Sequence, residues 1–220
     1  MAQFRRPASL SPAKQDQLPG DPDPADLTDV AHASAQALLS SVRQEAADDE
    51  VVRRVIHLVQ REGLEDIAAL WSHAPADTLP GTLWRLYTLH TWVARDPSDV
   101  VQRYEAGART APGLRYLAGV EEPLDIDRIR VTLDEIMRGV FAGDLALALH
   151  RASALLTLVA FGTAHLADQD EPFQFPNKSD TSQPVGDDLG EQLTLQAHRL
   201  LTTAEELDHA AVLERNGKLV

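Results

Sequence analysis

Leu79-Pro-Gly-Thr-Leu-Trp-Arg-Leu-Tyr-Thr-Leu-His-Thr-Trp92 holds two of the chain's three tryptophans and one of its three tyrosines, in a protein whose aromatic content is only 5%. Thr78 stands ready as a helix cap, and Pro80 falls in the first turn, where a missing amide proton costs little. Leu79, Leu83, Leu86, Tyr87 and Val93 recur at helical spacing, while Trp84, Leu89 and Trp92 carry apolar surface onto other faces. A helix apolar on several sides is normally enclosed by its neighbours. The segment therefore predicts a central strut in an all-α fold.

Outward from this strut the helical period continues in both directions. Asp26 predicts the cap of a first helix whose face is Leu27, Val30, Ala31, Ala35, Leu38, Leu39 and Val42. Asp48-Asp49-Glu50 complements the dipole of a second helix that ends at Gly63, and a short helix covers 64–71. Beyond the strut, Asp96-Pro97-Ser98 breaks the chain and starts a helix reaching Arg109. Residues 110–122 contain Pro112-Gly113 and Gly119 and read as an irregular connection, with Leu114, Tyr116 and Leu117 packing back on the core.

A long helix starts at Pro123 or Asp125, and Gly143-Asp144 separates it from a second that reaches about Ala167; the short connection predicts an antiparallel hairpin. A last helix covers 189–213. The whole reads as a single-domain helical bundle of about seven or eight helices over residues 25–213. Residues 1–24 are polar and proline-rich, which predicts a disordered tail; 169–188 predict a long polar loop, and 214–220 a frayed end. Val and Ile follow the helical period, not the alternating one, so no sheet of any size is expected.

Composition bounds the function. A net charge of −14 works against broad affinity for phosphate backbones. With no cysteine there is neither disulfide nor thiolate chemistry, which suits the cytoplasm. The most apolar run, 145–166, is interrupted by His150, Arg151 and His165 and reads as a core helix, not a membrane span. No phosphate loop, nucleophile elbow or zincin helix is present, and no cofactor is implied. Glu206 and His209, with Asp29 and His32, have the i, i+3 spacing of a di-metal bundle, although solvated surface pairs of this kind are common.

The apolar surface of the 123–168 pair and of a C-terminal helix bearing Leu193, Leu195, Leu200, Leu201 and Leu207 exceeds what one small bundle readily encloses. It predicts a non-enzymatic protein that acts by association with a protein partner or with a second copy, as in a dimer. An alternative comes from Val51-Val-Arg-Arg-Val-Ile-His-Leu-Val-Gln-Arg-Glu-Gly63 and Gly81-Thr-Leu-Trp-Arg-Leu-Tyr87, which resemble the first and recognition helices of the TetR family of transcriptional regulators. That resemblance implies a helix-turn-helix with Thr82, Trp84 and Arg85 facing a major groove, followed by a helical domain with a small-molecule pocket. More loosely, 79–168 is similar to uncharacterised all-helical proteins of GC-rich bacteria, which implies a helical scaffold and no activity.

Overall fold

A computed structural model describes residues 23–45, 70–120, 125–170 and 187–220. Among these residues there are seven helices and no strand, so the fold is all-α. In chain order they are α1 (Pro24–Glu45), α2 (Leu79–Arg95), α3 (Pro97–Thr110), α4 (Leu114–Ala118), α5 (Ile126–Ala142), α6 (Leu145–Asp170) and α7 (Asp187–Arg215). The second helix expected at 48–63, and most of the short one at 64–71, lie outside the described residues.

Helix α6 is the axis of the molecule, and its sequence explains why. Ala146, Leu149, Ala152, Leu155, Leu156, Leu158 and Val159 point to every side of the helix, and all are buried. Among the described residues it is also the one helix long and apolar enough to cross a membrane, but 72% of the relevant stretch is covered by protein. The hairpin of α5 and α6 forms as expected, yet α6 packs far more extensively against α7 and α3. Small residues govern the α3–α6 crossing. A methyl group added at Gly107 would overlap the Leu158 carbonyl, and one at Gly162 the Arg103 carbonyl, so the two backbones lie in direct contact.

Polar atoms at this crossing are satisfied in full view of the fold. Arg103 donates from Nε to Asp99 at 2.8 Å and from Nη1 to Thr163 at 3.1 Å and Gln196 at 3.0 Å. Its guanidinium also lies 5.8 Å from the Trp92 ring centroid. One side chain thus ties α3 to α6, α7 and α2, and a buried charge is tolerated because each of these partners compensates its lost hydration.

The helix signals act largely where the sequence places them. Thr78 accepts the Gly81 amide at 3.3 Å, Asp125 accepts that of Arg128 at 2.8 Å, and Asp144 that of Leu147 at 3.0 Å. Three expectations need correction. The first helix begins at Pro24, because Asp23 and not Asp26 receives the opening amide, that of Ala25, at 2.9 Å. Its inward face is Ala31, Ala35 and Leu39, which leaves Leu27 and Val30 exposed.

Residues 214–220 are not frayed. The helix runs to Arg215, the Lys218 amide turns back to Leu213, Leu219 packs on the core, and the Val220 carbonyl accepts the Leu79 amide at 2.9 Å. Leu219 and the single backbone hydrogen bond from Leu79 hold this end against the core and α2.

Candidate interaction surface

Residues 110–120 depart most from the sequence reading. Instead of an irregular connection, Leu114–Ala118 form a short helix, and Gly119 closes it at φ 68. Only glycine enters this left-handed region cheaply, and its missing Cβ lets the Arg151 guanidinium lie close to the turn. Arg151 reaches out from α6, donating from Nε to the Ala118 carbonyl at 3.3 Å and from Nη2 to Glu135 of α5 at 2.9 Å. Ala118 is fully buried and Leu114 rests against the core.

The same anchoring turns the rest of α4 outward. Tyr116 is 84% and Leu117 64% exposed, where the sequence predicted both to pack inward. The physical reason is length: with one face of a five-residue helix spent on Leu114 and Ala118, the intervening pair has no inner surface to reach. Arg115, next to Tyr116 in the chain, is half-buried and donates to the Pro112 carbonyl at 3.3 Å, and Arg109 is exposed at the end of α3. The result is an apolar knob mounted on a fixed turn.

A second feature lies at α1. Leu27, Ala31 and His32 of that helix, with Leu70, His73 and Ala74, line a cavity of about 510 Å³. Beneath it Trp71 is buried and donates from Nε1 to Ser34 at 3.0 Å, which fixes the 70–74 segment against α1. Asp26 and Asp29, on the same turns of α1, are exposed, as are Asp23 and Asp77. Neither 23–40 nor 70–78 contains a lysine or arginine, so this hollow is acidic.

The residues expected to face a DNA groove are otherwise engaged. Thr82 is wholly buried, with its hydroxyl toward the Ala76 carbonyl at 3.3 Å. Arg85 donates to Glu206 at 2.6 Å and to the Gly81 carbonyl at 2.9 Å. Trp84 packs on the core and stacks with Tyr87 at a centroid distance of 5.7 Å. The resemblance implied that all three face a groove, but Thr82 turns toward the 70–78 segment and Arg85 toward α7. Of the four residues with metal-type spacing, Glu206 is taken by Arg85, His209 and Asp29 are exposed, and His32 lines the α1 cavity. Among the described residues no group of three or more such side chains converges on one point.

Two histidines sit in distinctive surroundings. His90 of α2 is buried, and desolvation lowers its pKa below 6.5 against the opposing pull of the Asp134 carboxylate. His150 Nδ1 lies 2.7 Å from Asp208, joining α6 to α7, while its Nε2 is enclosed without a hydrogen-bond partner. A carboxylate–imidazole pair of this kind needs a nucleophile or substrate at Nε2 to do chemistry, and His150 does not line the α1 cavity. Comparison with protein-family models, with curated proteins and with solved structures found no match to the chain.

Proposed function

We infer that this protein acts by binding another protein chain, with Tyr116 and Leu117 of α4 as the anchor. The observation that carries the reading is the exposure of a tyrosine and a leucine, side by side, on a turn whose backbone Arg151 and Gly119 hold fixed. Exposed apolar residues scattered singly are ordinary. A fixed tyrosine with a leucine and an arginine beside it is different, because tyrosine and arginine are enriched at interface hot spots and the turn has already lost the backbone freedom that binding would otherwise remove. The complementary surface is an apolar recess that receives the ring. With no cysteine to oxidise, the site suits a reducing compartment such as the cytoplasm.

A groove-reading role for α2 has less to support it, since Thr82 is buried and Arg85 already paired. The association reading is tested by placing a photoreactive amino acid at position 116 and, as a control, at the exposed Gln102 of α3. Irradiation of cells making the protein should give a discrete crosslinked species from position 116 and none from position 102. No crosslink at 116, or equal crosslinking at both positions, would remove α4 as the anchor.

A further inference from the structure

We propose that residues 216–220 form a displaceable strap, and that the seat it occupies between α1, α2 and α6 receives an extended apolar segment of another protein, for which Leu219-Val220 is the resident stand-in. The seat is separate from α4, and nothing in it depends on Tyr116 or Leu117. Its first support is how lightly the strap is held. Gly217, at φ 63, turns the chain off the end of α7, and the Gly217 and Lys218 amides close back on the Glu214 and Leu213 carbonyls. Past that turn two contacts tie the strap down: Leu219 packs on the core, and the Val220 carbonyl accepts the Leu79 amide at 2.9 Å. Asn216, Gly217, Lys218 and Val220 are all exposed. A segment with so few buried contacts belongs to the parts of a fold that open while the rest stays intact.

The second support is what lies beneath. Pro80 has no amide proton, so the first turn of α2 presents the amides of Leu79 and Gly81; Thr78 takes that of Gly81 at 3.3 Å, and the strap takes the other. Lifting the strap leaves the Leu79 amide open to a carbonyl from elsewhere. Beside it Leu39, Leu79 and Leu145, each no more than 6% exposed, wall a cavity of about 450 Å³ that Leu219 closes on one side. Among the described residues lining this cavity Glu214 is the one charged group, which disfavours an anionic occupant.

An apolar side chain for the leucine walls and a neighbouring main-chain carbonyl for the amide are therefore what the seat selects, and both are what Leu219 and Val220 supply. Because the strap is tethered, it competes at high effective concentration, and a partner segment gains access only against that competition.

The test uses three full-length chains: the parent, Leu219→Asp, which removes the apolar anchor, and Gly217→Val, which puts a β-branched residue in the left-handed region where nothing lies within 4 Å of the added Cβ. The probe is a fluorescent, amidated peptide with the sequence of residues 216–220, followed by anisotropy. It should bind both variants about tenfold or more tightly than the parent, whose seat is occupied. The same peptide carrying the Leu219→Asp change should bind none of the three. In the parent, the Leu79 amide should exchange with deuterated solvent faster than the amides in the middle of α2, and faster still in both variants.

Equal peptide affinity for all three chains, or no binding to either variant, would overturn the receiving seat. A Leu79 amide as slow as the middle of α2 would overturn the displaceable strap. So would loss of native circular dichroism in either variant, since residues 216–220 would then be part of the cooperative fold.

Discussion

Pro80-Gly81 lies in the first turn of α2 and Pro112-Gly113 just before α4, and each helix carries leucine, arginine and tyrosine close behind. Their fates are opposite. At the first, Gly81 is pressed against the Pro75 carbonyl, Leu83 and Leu86 are buried, and Arg85 is paired with Glu206 of α7. At the second, an added Cβ on Gly113 would meet nothing within 4 Å, and Tyr116 stands in solvent. The local residues are nearly the same, so the difference lies in what surrounds them. Helix α2 is long enough to lay a full apolar stripe against several partners, whereas α4 spends its single inward face and ends.

The sharpest way to break this comparison is a pair of alanine substitutions. Gly81→Ala forces a methyl into a backbone carbonyl and is expected to cost about 3 kcal/mol or more in chemical denaturation, while Gly113→Ala stays within about 0.5 kcal/mol. Equal effects would show that both turns sit in similar surroundings. Next in size is the α2–α7 link. A double-mutant cycle with Arg85→Met and Glu206→Gln should return a coupling of about 1 to 2 kcal/mol, larger than an exposed pair gives because both side chains are partly shielded; a value near zero would mean the contact is solvated in practice.

A more modest effect belongs to His90 and is confined to acid. Its folded pKa lies below the unfolded 6.5, so the unfolded chain binds the proton more readily, and stability present above pH 6.5 falls as the pH drops from there toward the folded value. His90→Gln should flatten that slope in urea titrations between pH 7 and 5. Asp134→Asn should steepen it, since it removes the charge that favours the protonated ring. The smallest effect on stability is expected at the other pole of the comparison: Tyr116→Glu should move the denaturation midpoint by no more than about 0.5 kcal/mol, while association through α4 should weaken. A large loss there would mean that Tyr116 supports the fold of its own chain.

The all-α class, the Thr78, Asp125 and Asp144 caps and the enclosure of the α6 axis were legible because each follows from local chemistry or from a period in apolar residues. What periodicity could not reveal is which of two acceptable faces a short or weakly patterned helix turns inward. Leu27 and Val30 were placed on the buried face of α1, yet the smaller Ala31 and Ala35 occupy it, because close approach to α2 and α5 favours small side chains. The same ambiguity hid the α4 knob. One signal for it was in plain sight: Gly119, five residues after the Leu114 start, leaves room for a single inward face. Glu206, the ion-pair partner of Arg85, and Thr163 and Gln196, which bond Arg103, lie many residues away along the chain, and no spacing rule links them.

The glycine-to-backbone contact between α3 and α6 has a consequence for how the molecule opens. Where side chains separate two helices, one helix can tilt or slide while rotamers readjust; at Gly107 and Gly162 there is no such compliant layer, and Arg103 fastens the same crossing. The two helices then behave as one cooperative unit, released only when the entire domain unfolds. Their mid-helix amides should be the slowest in the protein to exchange with deuterated solvent, outlasting those of α1 and α4.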